Sequence, residues 1–253
     1  MLEAVSAIVR EAGGIAAARC GTDYRRWEKG PNNPVCEIDL EVDAFLRERL
    51  TVLDPEAGWL SEETPDSSDR MERRRLWVVD PIDGTRDYLR GGSGWCVSVA
   101  LVEERTPLIG VLDAPARGEH WTARKGGGAR RNGERIRVSG RRDMAGARVP
   151  ADRLPDADLD LVAVARPNSI ALRIALVASG EADLAATLRW GFEWDIAAAA
   201  LIAAEAGATV SGALGQPLAF NSASGEAFGV LVATPAIHAA AVERLRDRAM
   251  DLV

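Results

Sequence analysis

Apolar residues in the first half of the chain recur first with a helical period and then in short runs. Leu2, Val5, Ile8 and Val9 lie on one face of a predicted opening helix. A loop rich in Gly and Pro and a second helix follow. Four short apolar runs then predict strands, of which the last two form an antiparallel hairpin. The loop, the second helix and the four strands are predicted at roughly residues 24–34, 37–50, 58–63, 76–79, 96–102 and 108–112.

The second half continues to alternate between the two periods. Gly126 to Gly128 lack the spacing and the Lys-Ser/Thr ending of a phosphate-binding P-loop, so a hairpin is predicted there. The charged run 66–75 reads as a solvent-exposed link. Helices are predicted at roughly 169–178, 195–206 and 236–250, and strands at 161–165, 182–188, 209–210, 217–220 and 228–233. Irregular alternation of this kind predicts an α/β or α+β protein.

Composition and charge narrow the function classes. The chain has 253 residues, room for one domain or two closely packed halves. A net charge of −7 argues against a protein that neutralises a nucleic-acid polymer. No secretory signal is apparent at the N-terminus, and no run of about 18 apolar residues predicts a membrane span. Three widely spaced cysteines suit a reducing compartment, so the expected location is cytoplasmic.

Candidate chemistry begins where the strand over residues 76–79 ends. Asp80 and Asp83 follow it in the segment Asp-Pro-Ile-Asp-Gly-Thr. Pro81 restricts the backbone and Gly84 permits a sharp reversal, so both carboxylates and a backbone carbonyl can surround one point, as Mg²⁺ prefers. Thr85 lies where a short helix could begin, with N–H groups suited to phosphate. Taken alone, such a segment is more often a plain surface turn.

The stretch Trp77 to Thr85 resembles the signature of the inositol monophosphatase superfamily, an apolar strand followed by Asp-Pro-Ile/Leu-Asp-Gly-Thr. Glu62-Glu63 and Trp194-Asp195 are similar to two further family motifs and occur in the family's order. The resemblance implies a layered α-β-α-β-α sandwich of the inositol monophosphatase and fructose-1,6-bisphosphatase type. It also implies an N-terminal α+β half (1–140) with most metal ligands and a C-terminal α/β half (141–253), packed as one compact unit.

The same resemblance implies a set of site residues. About two or three Mg²⁺ ions, with Mn²⁺ as a substitute, would be bound by the side chains of Glu62, Asp80, Asp83 and Asp195 and by the Ile82 carbonyl. Asp39 would pair with Thr85 to activate water, while Glu62 takes part in catalysis and Glu63 supports the site. Gly84 and Thr85 would hold phosphate. Cys36 stands where the family usually has Thr or Ser, which weakens any hydrogen bond assigned there.

Substrate choice remains open in the sequence. Arg86 directly after Thr85 resembles the 3′(2′),5′-bisphosphate nucleotidases and would meet a second phosphate, or it pairs with a local acid. Glu193 before Asp195, and Leu188 where inositol enzymes tend to offer a carboxylate, favour the nucleotidase. Ser169 and Asp195 resemble substrate contacts, although a serine at a helix start is also an ordinary N-cap.

The sequence therefore predicts a Mg²⁺-dependent phosphomonoesterase that converts 3′-phosphoadenosine 5′-phosphate to AMP and phosphate. The alternatives are an inositol-1-monophosphatase and, from another class, a non-catalytic phosphate-ligand sensor or regulatory partner. No Ser/His/Asp arrangement is expected to support a covalent route, because His120 lies in a predicted strand and His238 in the closing helix. Neither has a partner at zinc-ligand spacing. The resemblance also implies a homodimer.

Overall fold

The structure is a computed structural model that describes residues 1–30 and 33–253. It confirms a mixed α/β protein, and each predicted helix is present. The helices are α1 Leu2–Arg19, α2 Glu37–Leu53, α3 Thr85–Leu89, α4 Ile170–Ala178, α5 Ala197–Glu205 and α6 Pro235–Met250. No helix in the part of the chain described is both long and apolar enough to cross a bilayer.

Seven strands form the larger sheet. They are β3 Gly58–Ser61, β4 Arg75–Asp83, β5 Cys96–Glu103, β6 Thr106–Ala114, β7 Glu119–Arg124, β8 Gly128–Arg131 and β9 Glu134–Arg135. They are hydrogen-bonded in chain order. Strand β3 runs parallel to β4, and every later neighbour is antiparallel. The predicted hairpins at β5–β6 and at the three glycines are both confirmed.

Seven further strands complete the fold. They are β1 Arg26–Gly30, β2 Asn33–Cys36, β10 Arg148–Pro150, β11 Val162–Val164, β12 Leu184–Phe192, β13 Thr209–Ser211 and β14 Glu226–Ala233. Strands β1 and β2 form an antiparallel hairpin, and β10 pairs with β11 in parallel. The other three form an antiparallel sheet in the order β12-β14-β13.

Alternating side chains hold the layers together, because successive residues of a strand face opposite sides of the sheet. Trp77 and Val79 of β4 pack with α1 and α2, while Leu76 and Val78 belong to the core that includes α4 and α5. In the smaller sheet, Val232 faces that same core, and its neighbours pack against α6. The order of layers is therefore α1/α2, large sheet, α4/α5, small sheet and α6. The division at residue 140 stays a prediction.

Helix α5 approaches the large sheet very closely. A Cβ added at Gly110 of β6 would lie 2.6 Å from the Ala198 carbonyl oxygen. Only a glycine fits at such a distance, and the small alanines of α5 meet it. This contact fixes the start of α5, which begins two residues after Asp195.

Three expectations from the sequence need correction. The loop predicted over residues 24–34 contains strands β1 and β2; its Pro31 and Asn32 lie outside the described residues. Residues 217–220 form no strand in the described structure, and the buried Phe220 instead donates its N–H to the Arg105 carbonyl. The charged run 66–75 is not simply a solvated link, since Arg70 is buried and bound to Asp66 and Asn221.

Candidate active site

Strand β4 delivers two carboxylates to one end of the large sheet. Predicted to end at Val79, it continues to Asp83 through an irregularity in its pairing with β5, between Asp80 and Asp83. An extra residue in one strand redirects the side chains around it. Gly84 then takes a left-handed conformation, with φ of +97°, and helix α3 begins at Thr85. The reversal expected at Gly84 is therefore present, although strand β4 extends as far as Asp83.

Asp83 is fixed by the start of helix α4. Its Oδ2 accepts hydrogen bonds from Ser169 Oγ at 2.5 Å and from the Ala171 N–H at 2.8 Å, and its Oδ1 accepts from the Ile170 N–H at 3.3 Å. These bonds lower the pKa of Asp83, but burial outweighs them and raises it to about 6. The position of this carboxylate depends on a segment that lies 86 residues further along the chain.

Four carboxylates face one another across a cavity of about 520 Å³. Glu62, Asp80, Asp83 and Asp195 line it together with Ile82, Gly84 and Thr85. Burial, followed by repulsion from Glu62, Asp83 and Asp195, raises the pKa of Asp80 well above its usual value. Burial and the charge of Asp83 raise the pKa of Asp195 as well. Buried acids this close repel one another unless a cation or a proton offsets their charge.

A lysine contacts the two glutamates that follow strand β3. Lys29 Nζ, from the β1–β2 hairpin, lies 3.1 Å from Glu62 Oε1 and 2.8 Å from Glu63 Oε1. The Glu63 side chain is only 3% exposed, and its burial raises its pKa to about 7. In this conformation the positive charge of Lys29 balances the negative charge of the two glutamates.

Helix α2 also contacts the segment that carries Glu62 and Glu63. Asp43 accepts hydrogen bonds from Ser61 Oγ at 2.5 Å and from Thr64 Oγ1 at 2.6 Å, so it holds the residues on either side of the Glu62-Glu63 pair. Sequence reasoning missed Asp43. A signal was present, because Asp39 and Asp43 are four apart and therefore share one face of the helix, the face that also buries Ile38, Val42 and Leu46.

The first turn of α2 contacts Thr85. Thr85 Oγ1 lies 3.3 Å from Asp39 Oδ1 and 3.0 Å from the Ile82 carbonyl oxygen. Asp39 Oδ2 accepts hydrogen bonds from the Cys36 thiol at 2.9 Å and the Cys36 N–H at 2.8 Å. Asp39 and Thr85 therefore lie within hydrogen-bond distance, as expected. A cysteine at position 36 was expected to weaken hydrogen bonding there, but its thiol donates to Asp39. Burial raises the pKa of Asp39 to about 6.

Cationic and apolar residues also line the cavity. They include Arg86, Arg166, Arg173, Leu188, Arg189 and Phe192. The Phe192 ring is 40% exposed and stacks on Trp194, with the two ring centroids 4.4 Å apart and the planes nearly parallel. One cavity thus combines carboxylates with arginines and an exposed aromatic ring.

A profile of the inositol monophosphatase family matches residues 1–249, nearly the whole chain. The chain belongs to the inositol monophosphatase family. Members of this family are phosphatases that hydrolyse phosphate monoesters, and they are generally Mg²⁺-dependent. The order and spacing of the three acidic motifs had indicated the same family.

Curated relatives within the family carry different names. A Nus factor SuhB of Xylella fastidiosa is 36% identical over 189 residues, which make up 69% of this chain and 67% of that protein. A 3′(2′),5′-bisphosphate nucleotidase CysQ of Aggregatibacter actinomycetemcomitans is 32% identical over 207 residues, 76% of this chain and 77% of that protein. An inositol-1-monophosphatase of Mesorhizobium japonicum is 33% identical over 203 residues, 72% and 73% of the two chains. Because relatives with different names have similar identity to this chain, sequence identity does not assign its substrate.

Solved structures share the fold. An IMPase of Thermotoga maritima superposes with a TM-score of 0.83 at 27% identity, covering 97% of this chain and 96% of that one. The extragenic suppressor protein suhB of Bartonella henselae also gives 0.83, at 26% identity, with 96% and 97% covered. These neighbours confirm the family fold expected from the signature.

The donor set of this family member fits a hard divalent cation. Carboxylates and a backbone carbonyl are the oxygen ligands that Mg²⁺ prefers. Burial, followed by the charges of neighbouring acids, raises the pKa of Asp80 and Asp195, and a cation would favour their ionised forms. Within residues 1–30 and 33–253, no three Asp, Glu, His or Cys side chains are already arranged around one point. In this conformation Glu62 is paired with Lys29, and Asp83 accepts a hydrogen bond from the start of α4.

Two residues expected to influence substrate choice lie behind the cavity wall. Ser169 is fully buried; its hydroxyl donates to Asp83 and accepts from the Leu172 N–H, so it caps α4 and positions Asp83. Glu193 is also fully buried and accepts hydrogen bonds from the N–H groups of Asn221 and Ser222. Its carboxylate therefore holds that loop in place.

A chain of contacts between a serine, a histidine and an aspartate is present away from the cavity. His120 Nδ1 lies 2.6 Å from Asp113 Oδ1, and its Nε2 lies 2.7 Å from Ser6 Oγ. None of the three is among the described residues that line the cavity. Ser6 sits inside helix α1, where backbone N–H groups are used in helical hydrogen bonds and cannot stabilise an oxyanion. We conclude that this chain of contacts attaches α1 to strands β6 and β7.

Proposed function

We propose that this protein is a Mg²⁺-dependent phosphomonoesterase whose substrate is a nucleoside 3′(2′),5′-bisphosphate such as 3′-phosphoadenosine 5′-phosphate. The observation that carries the reaction class is one cavity in which four carboxylates adjoin the start of helix α3. The cation would be held by the side chains of Glu62, Asp80, Asp83 and Asp195 and by the Ile82 carbonyl. About two or three ions, with Mn²⁺ as a substitute, suit such a set.

A bound divalent cation would offset the charge of the phosphate ester and lower the pKa of a water molecule. The chain's own residues would orient that water. Thr85 Oγ1 would accept a hydrogen bond from it while donating to Asp39 Oδ1, so that the proton of the attacking water moves toward Asp39. Glu62 would act at the same end of the cavity.

The start of helix α3 would hold the phosphate. The helical hydrogen bonds begin with the Asp87 and Tyr88 N–H groups, both of which donate to the Gly84 carbonyl. The N–H groups of Gly84 and Thr85 precede these bonds, so they point out of the helix as donors for phosphate oxygens. Asp195, on the facing side of the cavity, would contact the leaving group.

A nucleotide suits the remainder of the cavity better than an inositol does. Phe192 presents an aromatic face on which a nucleobase could stack. Leu188 lines the wall where a carboxylate would be needed to bind sugar hydroxyls, and the exposed Arg86 supplies positive charge. The relative named CysQ supports the same substrate class.

Two alternatives are tested alongside. An inositol-1-monophosphatase would use the same carboxylates, and one relative has that name. A non-catalytic sensor or regulatory partner is suggested by the relative named Nus factor. The presence of Asp39 and Thr85 in hydrogen-bond distance beside the acids supports an enzyme instead.

The deciding experiment measures phosphate release from 3′-phosphoadenosine 5′-phosphate and from inositol 1-phosphate at equal concentrations, with Mg²⁺ and with EDTA. We expect Mg²⁺-dependent release with a preference for the nucleotide. A preference for the inositol ester would assign the alternative substrate, and no release from either would contradict the proposed activity. Glu62→Gln should be inactive but folded, since Glu62 contacts mainly Lys29.

A homodimer and a cytoplasmic location, which the sequence predicts, remain predictions. Size-exclusion chromatography with light scattering tests the first. A mass near 27.1 kDa would contradict the dimer.

A further inference from the structure

Three arginines from separate parts of the chain line the cavity. Arg166 lies in the loop after β11, Arg173 in helix α4 and Arg189 in strand β12, and the same cavity contains Asp83 and Asp195. The chain carries a net charge of −7, so these arginines form a positively charged region within an acidic protein. Such a region attracts anions.

Arg173 is held in a fixed orientation. Its Nε donates to the Pro167 carbonyl at 2.8 Å and its Nη2 to the Asn168 carbonyl at 2.6 Å. Burial, followed by the positive charge of Arg166, lowers the pKa of Arg173 to about 10, while the negative charge of Asp83 opposes this shift and the charge of Arg189 adds to it. An anion bound among the three arginines would relieve the repulsion between their charges.

These arginines have little negative charge hydrogen-bonded to them. Arg166 pairs with Asp152 at 2.6 Å, but the Asp152 side chain is 74% exposed, so solvent screens the pair. Arg189 makes no hydrogen bond or ion pair with any residue that the structure describes. By contrast, Arg148 binds the buried Asp183 at 2.8 Å and Arg248 binds the buried Asp158 at 2.7 Å. Arg148 and Arg248 thus serve structure, whereas Arg166, Arg173 and Arg189 line an open cavity.

We propose that Arg166, Arg173 and Arg189 form the binding site for a second phosphate of the substrate, distinct from the phosphate that is hydrolysed. This inference rests on the proposed function, which supplies the reaction. It adds that these three arginines select doubly phosphorylated substrates. Guanidinium groups form paired, charge-assisted hydrogen bonds to phosphate oxygens. Three of them suit a dianion, while the carboxylates at the other end of the cavity would repel it.

A pair of substrates that differ by one phosphate tests the proposal. The comparison is 3′-phosphoadenosine 5′-phosphate against adenosine 3′-monophosphate, with kcat/KM measured for wild type, Arg166→Gln and Arg189→Gln. We expect wild type to prefer the bisphosphate and each variant to lose about tenfold of that preference. The kcat/KM for the monophosphate, measured for each variant, is the reference from which this preference is calculated. Arg10→Gln, an exposed change on helix α1, is the matched control. An unchanged preference in both variants would overturn the proposal.

A binding experiment separates this proposal from the proposed function. AMP carries only the second phosphate, so its affinity in EDTA, compared with that of adenosine by calorimetry, requires no turnover. We expect wild type to bind AMP more tightly than adenosine and both variants to lose about tenfold in AMP affinity alone. Equal affinities for AMP and adenosine in wild type would refute the arginine site, even if phosphate release is observed. A protein that binds AMP in this way but releases no phosphate would contradict the proposed activity only.

Arg173 provides a more stringent variant. Arg173→Lys keeps the positive charge but loses the fork that binds both the loop and a phosphate. Weaker AMP binding at an unchanged melting temperature would support a role in phosphate binding. Unchanged AMP affinity, with the melting temperature lowered through the loss of the bonds to Pro167 and Asn168, would exclude Arg173 from the site.

Discussion

Thr85 Oγ1 lies 3.3 Å from Asp39 Oδ1, which joins the start of helix α3 to the start of helix α2 across 46 positions of sequence. The same hydroxyl lies 3.0 Å from the Ile82 carbonyl oxygen. A hydroxyl has one proton, so it can donate to only one of the two acceptors at a time. If the Ile82 carbonyl binds a cation, donation to Asp39 becomes the favoured choice, and the hydroxyl lone pairs are left to orient water.

Removal of the Thr85 hydroxyl tests this arrangement. Thr85→Val keeps the shape of the side chain, and we expect kcat to fall by about 10²-fold or more, because a positioned proton acceptor contributes on that scale. Asp39→Asn should have a similar effect, and the double variant should lose little more, since the two residues act as a unit. Thr85→Ser is the control that should retain most activity. Independent, additive losses in the double variant would contradict the coupling.

Cys36 should act as a hydrogen-bond donor and not as a reactive thiol. Burial, together with the charge of Asp39, raises the pKa of Cys36 to about 12. The thiol therefore stays protonated at neutral pH and keeps its bond to Asp39. We expect iodoacetamide to modify the partly exposed Cys20 before the buried Cys36, as mass spectrometry would show. Cys36→Ala should cost about 1 kcal/mol through the lost N-cap of α2, and Cys36→Thr should retain activity. Rapid alkylation of Cys36 in the folded protein would refute this account.

Lys29 should compete with the metal ion for Glu62. Its ammonium group lies close to both glutamates, so its removal should leave their charges free for a divalent cation. We expect Lys29→Gln to bind Mg²⁺ about tenfold more tightly in calorimetry with no substrate present. The chain has one other lysine, Lys125, and Lys125→Gln is the natural control. Equal Mg²⁺ affinity in wild type and Lys29→Gln would show that the ion pair does not oppose metal binding.

Asp80 should destabilise the protein when no metal is bound. Its carboxylate is buried among other acids, and its pKa is raised accordingly. In EDTA we expect Asp80→Asn to increase the free energy of unfolding by roughly 1 to 3 kcal/mol, and the stabilisation by Mg²⁺ to shrink. The exposed Asp247→Asn serves as the control. A lower melting temperature of Asp80→Asn in EDTA would contradict the prediction.

The stability of the metal-free protein should fall as the pH rises from about 4 to about 7. Burial raises the pKa of Asp39 and Asp83 to about 6, and that of Glu63 to about 7. A carboxyl with a raised pKa binds protons in the folded state that the unfolded chain has already released, so stability is fully present below the unfolded pKa and is lost on the way up. His238 opposes this trend slightly, because burial lowers its pKa.

Urea unfolding at several pH values, in EDTA and in Mg²⁺, measures the effect. We expect the loss of stability toward pH 7 to be larger in EDTA, since a bound cation favours the ionised carboxylates. A free energy of unfolding in EDTA that is the same at pH 5 and pH 7 would contradict the raised pKa values.

The sequence by itself determined the family, the helices and the acidic residues that line the cavity. These features are local: periodicity follows from which face of an element is buried, and Asp80, Asp83 and Thr85 lie within six positions of one another. Pro81 restricts the backbone of this segment and Gly84 permits its sharp reversal, so its own residues largely determine its conformation. The same local reasoning identified Cys36 as a departure from the family pattern.

Only the tertiary structure decided which side chains meet these residues. The buried Ser169 donates a hydrogen bond to Asp83, and the buried Glu193 accepts one from the loop at Asn221. Lys29 meets Glu62, and three arginines line the same cavity, although nothing in their local sequence indicates it. Such contacts join positions tens of residues apart, and they depend on how the sheets and helices pack, which no short stretch of sequence specifies.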